Sequence, residues 1–154
     1  MHISSKWRIW RASCIPVRAE GGSVRAMNGM TTLLYLDDEE PIRRVVSRYF
    51  SQRGDRVLLA RTIAEAKVLL GSEDPNAILI DVMLGVECGV ELVTWVADQR
   101  PELLERVTFV SGQHLDRYPV GIDGRTVQYP VIHKPFELDA LGSYIDSAGS
   151  RAQT

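Results

Sequence analysis

Cysteine is scarce: Cys14 and Cys88 are the two among 154 residues, far apart and outside any C-x-x-C spacing. That excludes a zinc or dithiol signature and a disulfide framework, and a reducing cytoplasmic setting is expected. No apolar run approaches the ~20 residues needed to cross a bilayer, and arginines break up the N-terminus, so a secretory signal is not expected either. No excess of one charge stands out, with 18 Lys and Arg against 20 Asp and Glu and a net charge of −2. Bulk attraction to nucleic acid has no basis in that balance. His114 and His133 carry no ligand or phosphohistidine pattern.

What is present is ordinary globular material, 45% hydrophobic and 25% charged, enough for one domain with a real core. Its charge is uneven. In residues 1–30, Lys6, Arg8, Arg11, Arg18 and Arg25 stand against Glu20 alone, a net of +4, which leaves −6 for the remainder. Trp7, Trp10, Cys14 and Val17 fall at helical spacing, but Pro16 and Gly21-Gly22 cut the segment short. Residues 1–30 are expected to be a disordered basic leader rather than an amphipathic anchor. A domain over 31–148 and a tail over 149–154 follow.

From Thr31 the pattern is regular. "TTLLYL" is a short apolar run, a buried strand. "PIRRVVSRYFSQRG" reads as a helix, with Pro41 in its first turn, acids at its positive end and Gly54 after it. "RVLLA", "AILID" and "RVTFVSG" are further strands, and a fifth lies within "VQYPVIHKP". "TIAEAKVLLG" is a helix in which Thr62 and Glu65 form a capping box. "GVELVTWVADQR" and "FELDALGSYIDSAG" are the remaining helices, the first with Val90, Val93, Val96 and Ala97 facing inward. Apolar strands alternating with helices imply an α/β fold, a doubly wound, five-stranded parallel sheet of flavodoxin-like (βα)5 type. Such sheets bind ligands beyond the carboxyl ends of their strands.

Those ends carry the chemistry. The first strand leads into Asp37-Asp38-Glu39, the third into Asp81, the fourth into Ser111-Gly112 and the fifth into Lys134-Pro135. Carboxylates brought together repel unless a cation neutralises them. Hard oxygen ligands in an open cleft suit Mg2+. Asp81 is then a candidate nucleophile toward phosphorus. Mg2+ and Lys134 would spread the transferred charge, Ser111 would hydrogen-bond a phosphoryl oxygen, and Gly112 would leave the approach open.

Together these residues resemble the receiver domain of two-component response regulators, over roughly residues 31–148. Asp37-Asp38 match the family's metal-binding pair, and Asp81, 43 residues after Asp38, matches its phosphoacceptor. Ser111 matches the switch hydroxyl, Lys134-Pro135-Phe136 the Lys-Pro-Phe signature, and Gly89 the glycine of the loop after the phosphoacceptor. The resemblance implies that the Met83 backbone carbonyl joins Asp37, Asp38 and Asp81 around Mg2+. It also implies a sensor histidine kinase or a histidine phosphotransfer protein as phosphoryl donor. By the same resemblance Met83 and Gln113 tune dephosphorylation, and neither is a water-activating acid. Activity would be confined to self-phosphorylation and slow autodephosphorylation, and output would pass through contact with an unknown partner or a phosphate relay.

Three positions depart from the family's pattern. Gly85 replaces a usual proline, which is expected to loosen its loop. Val131 stands where a switch aromatic is common, with Tyr129 out of register for it. In "QHLDRYPVGIDGRTVQYP", Pro119, Gly121, Gly124 and Pro130 leave at most a short or irregular fourth helix, as in receivers of hybrid histidine kinases. Two other functions compete. One is a receiver-fold binding scaffold that is never phosphorylated, against which the intact Asp37, Asp38, Asp81, Ser111 and Lys134 set argues. The other is an aspartate-nucleophile phosphohydrolase, which would want an acid where Met83 stands.

Overall fold

The computed structural model describes residues 30–151, so the expected leader lies outside the described residues save for Met30. Strand β1 (Thr32–Leu36) is followed by helix α1 (Glu40–Gln52), β2 (Arg56–Ala60), α2 (Ile63–Ser72) and β3 (Ala77–Asp81). A two-stranded hairpin, β4 (Met83–Leu84) and β5 (Glu87–Cys88), leads into α3 (Val90–Gln99) and a 3-10 turn over Pro101–Arg106. Then come β6 (Val107–Ser111), β7 (Arg117–Ile122), β8 (Arg125–His133) and the closing helix α4 (Leu138–Arg151), which runs into the expected tail.

The central sheet has the order β2-β1-β3-β6-β8-β7, with every neighbour parallel except β7, which pairs antiparallel to β8. Alternation along each strand divides the core into two layers. Leu33 and Tyr35 of β1 pack with Ile42, Val46 and Phe50 of α1 and with Leu141 and Ile145 of α4. Leu34 and Leu36 face the other way, against Ile63, Ala66 and Leu70 of α2 and Leu92, Val93 and Val96 of α3. Leu92, absent from the expected inward face of α3, is fully buried, whereas Val90 and Ala97 are half-buried.

Local signals act largely as read. Thr62 caps α2 by accepting a hydrogen bond from the Glu65 amide at 3.2 Å. The return bond from the Glu65 carboxylate goes one residue earlier than a capping box requires, to the Arg61 amide at 2.7 Å.

The doubly wound class stands, but the expected short or irregular fourth helix is replaced by β7, which makes the sheet six-stranded. The cause is the Asp123-Gly124 turn. Both residues have positive φ, +50° and +74°, as a two-residue hairpin turn compatible with strand twist demands. Tyr118, Val120 and Ile122 of β7 then share a face with Tyr129, Val127 and Arg125 of β8. Val120 and Tyr129 are buried, and Tyr129 meets Phe109 edge-on at 5.8 Å. Gly85 also behaves differently from its expectation. With φ at +63° it closes the β4–β5 turn opposite the Leu84–Glu87 pair, so the loop is a tight hairpin that proline, locked near −65°, would break.

Candidate functional site

The order β2-β1-β3 reverses the winding of the sheet between β1 and β3, and Asp37 and Asp81 flank that switch point. Asp37 follows β1 and is fully buried. The Glu39 amide donates to its Oδ1 at 2.9 Å, and the Tyr35 hydroxyl donates to its Oδ2 at 3.0 Å. The Arg43 guanidinium donates to its backbone carbonyl at 2.7 Å. Asp81 ends β3 at 6% exposure, with the Met83 amide donating to its Oδ1 at 3.1 Å.

Lys134 joins the two acids. Its Nζ lies 2.9 Å from Asp37 Oδ2 and 2.8 Å from Asp81 Oδ2, with Glu39 at 3.8 Å. Its main-chain amide donates to the Ser111 carbonyl at 2.8 Å, which ties the end of β8 to the end of β6. Ser111 is buried, and its Oγ accepts from the Gln113 amide at 3.1 Å. Asp38 is exposed beside this core.

Four carboxyl groups face one ammonium here. Asp37, Asp38, Glu39 and Asp81 each present an oxygen within 4.8 Å of the others. Burial pushes the Asp81 carboxyl up to about 6, with Asp37 adding to the rise and Lys134 opposing it. Burial would lower the Lys134 pKa, but Asp37 and Asp81 outweigh it and hold the ammonium above its ordinary range. The two shifts differ in cause: burial dominates at Asp81, whereas at Lys134 the two neighbouring carboxylates together outweigh burial. A hard divalent cation is what such an oxygen cluster fits.

Backbone geometry keeps this end rigid. A Cβ at Gly89 would stand 2.3 Å from the Asp81 carbonyl oxygen and 2.6 Å from Ile80 Cγ2, so only glycine lets α3 start against β3. Gly112 has no such constraint: a Cβ there would meet nothing within 4 Å, and the open approach does not depend on it. Met83, whose carbonyl is an expected ligand, begins β4 and is 63% exposed.

All of Asp37, Asp38, Asp81, Ser111 and Lys134 thus meet at the carboxyl edge of the sheet. Glu39 and Tyr35 join them, and neither belongs to the expected site set. The signal for Tyr35 was its place two residues before Asp37, on the same face of an extended chain. Val131, in the position of the switch aromatic, is half-buried against the α2–α3 layer. His133 packs beside the site, its Nδ1 3.0 Å from the Gln113 carbonyl.

No protein-family model matches the chain. A receiver protein from Methanospirillum hungatei JF-1, described as CheY-like, superposes with a TM-score of 0.66 at 21% identity, covering 81% of this chain and 98% of that one. The chain has the response-regulator receiver fold. A response regulator from Burkholderia pseudomallei, solved with a phosphorylated aspartic acid, a calcium ion and citrate, superposes on this receiver with a TM-score of 0.59 at 23% identity. That match covers 80% of this chain and 71% of the other. In sequence, the receiver is similar to the transcriptional regulatory protein GltR of Pseudomonas aeruginosa, 30% identical over 128 residues, 82% of this chain and 51% of that protein. The chain spans between 39% and 51% of the length of the curated relatives it matches. Among the described residues no helix is long and apolar enough to cross a membrane.

Proposed function

We propose that this receiver accepts a phosphoryl group on Asp81 from a phosphohistidine of a sensor kinase or a histidine phosphotransfer protein, in the cytoplasm. The observation that carries the reading is Lys134 Nζ bridging Asp37 and Asp81 at 2.9 and 2.8 Å, beside a buried Ser111. A carboxylate oxygen of Asp81 forms the bond to phosphorus as the phosphorus–nitrogen bond of the donor breaks. The donor imidazole leaves with the electron pair and takes up a proton. Lys134 balances charge on the transferred group, and Ser111 turns its hydroxyl from the Gln113 amide toward a phosphoryl oxygen.

Asp37, Asp38, Asp81 and the Met83 carbonyl would hold Mg2+, for which the oxygen-only donor set and uncompensated charge are suited. When bound, that ion neutralises phosphoryl oxygens. The calcium ion and phosphorylated aspartic acid of the Burkholderia pseudomallei relative support this reading. Output runs through contact with a partner or onward relay of the phosphoryl group. Met83 and Gln113 provide no acid to activate water, so the acyl phosphate should outlast seconds. The chain is not otherwise an enzyme.

The test is intact mass after incubation with acetyl phosphate and Mg2+. A single phosphoryl adduct is expected, lost with chelator and lost in Asp81→Asn. No adduct on folded protein would overturn the proposal in favour of an unphosphorylated binding scaffold, and an adduct surviving in Asp81→Asn would put the acceptor elsewhere.

A further inference from the structure

Tyr35 is fully buried, yet it carries a hydroxyl into the core. Its ring packs in the layer that holds Val46, Phe50, Phe136 and Leu141. Phenylalanine would fill the same volume without the desolvation of a phenol. Among the described residues one acceptor receives that hydroxyl, Asp37 Oδ2 at 3.0 Å. Strand periodicity makes the arrangement specific, because residues two apart share a face and Tyr35 lies two before Asp37.

The consequence is an unequal carboxylate. Asp37 Oδ2 takes two donors, the Tyr35 hydroxyl and the Lys134 ammonium, whereas Oδ1 takes only the Glu39 amide. A carboxylate oxygen has two acceptor directions. Oδ2 is therefore filled by protein, and Oδ1 keeps a direction for a cation. Without the hydroxyl, Lys134 alone would hold Oδ2. Its flexible stem also follows Asp81, and the Glu39 amide on Oδ1 would be the one fixed donor left to orient the carboxylate. The rigid core sets the phenol's position, so Tyr35 fixes Asp37 independently of what Lys134 does when a phosphoryl group arrives.

We infer that Tyr35 is a positioning residue for the cation: its hydroxyl locks the Asp37 carboxylate so that Oδ1 keeps an acceptor direction for the ion, and so sets the affinity for a divalent ion. The inference rests on the receiver reading above. It assigns Tyr35 no contact with the phosphoryl group and no part in bond making.

The test compares wild type with Tyr35→Phe in two measurements using magnesium chloride. Calorimetric titration should show a dissociation constant raised about three- to tenfold in the variant, the span expected for one lost hydrogen bond. Acetyl phosphate labelling should show the same shift in the Mg2+ concentration for half-maximal rate, with the rate at saturating Mg2+ within about twofold of wild type. A merely structural tyrosine would lower the melting temperature and leave the Mg2+ dependence of the folded protein unchanged, and that outcome would overturn the inference. The wild type alone provides a second check, which holds even if Tyr35→Phe does not fold. Mg2+ should perturb the tyrosine ultraviolet difference spectrum, and no perturbation at saturating Mg2+ would also sink the idea. Failure of the receiver reading looks different: wild type would then bind Mg2+ without forming an adduct.

Discussion

The carboxyl edge of the sheet and its β7–β8 border are built on opposite principles. At the carboxyl ends of β1, β3, β6 and β8, charged and hydroxyl groups are buried, and nearly every polar atom has an assigned partner. At the β7–β8 edge, the turn and the first four residues of β8 are exposed, and Val127 stands 37% open. The first region tolerates little because a buried charge that loses its partner is costly. The second needs a positive-φ turn and two inward side chains, Val120 and Tyr129. The receiver fold therefore accommodates a hairpin at this edge together with the polar cluster at its strand ends.

Lys134→Met should have the greatest consequence. It leaves Asp37 and Asp81 facing each other in a dry site and should lower the unfolding free energy by about 3–5 kcal/mol in chelator. Urea unfolding would measure this, and Mg2+ should restore part of the loss. An unchanged midpoint would mean that the bridge contributes little.

Next is Gly89→Ala. Its methyl group would strike the Asp81 carbonyl, and a loss of roughly 1–3 kcal/mol is expected from overpacking. Acetyl phosphate labelling should fall with it, because the Asp81 end of β3 must shift.

Asp81→Asn should have the opposite sign in stability. Because the folded carboxyl sits near 6, above its ordinary 3.8, its contribution is favourable at low pH and is lost as pH rises through about 6. In chelator at pH 8 the Asn variant should be more stable by roughly 1–3 kcal/mol, with the gap closing toward pH 4. Without added Mg2+, any labelling of wild type should also fade below about pH 6, where the nucleophile is protonated. Mg2+ should stabilise wild type more than the variant.

On the hairpin side, Gly124→Val puts a β-branched residue at φ +74° and should cost about 1–2 kcal/mol. The folded fraction should label like wild type, and impaired labelling there would mean that the hairpin and the carboxyl edge are coupled. The smallest effect is expected at Pro119. In a two-residue hairpin the Ile122–Arg125 pair is hydrogen-bonded and pairs alternate from it, so position 119 faces the free edge. Proline there withholds a donor from edge-to-edge pairing. Pro119→Ala should change stability by no more than about 0.5 kcal/mol. Sedimentation should show whether it associates at lower concentration than wild type.

Much of this was legible in the chain. Alternating apolar runs identified β1, β3 and β6, Pro41 and Thr62 marked helix starts, and the acids, serine and lysine at strand ends marked the site. The hairpin departs from the expected helix for a definable reason. Pro119, Gly121, Gly124 and Pro130 forbid a helix. The Asp123-Gly124 pair between the alternating Tyr118, Val120, Ile122 and Val127, Tyr129, Val131 also favours a hairpin. Gly85 likewise supplies a required positive φ rather than slack.

What the sequence determined by itself is the order of elements and the residue types at their ends, because periodicity, caps and turn residues act within a few positions of the chain. Tertiary structure alone decided which oxygen each donor meets. The Lys134 ammonium lies between carboxylates 97 and 53 residues away, Tyr35 reaches an oxygen that Lys134 also holds, and Asp81 is dry enough to move its pKa. Those facts depend on distances between separate strands and on the exclusion of water, and neither exists until the sheet has closed.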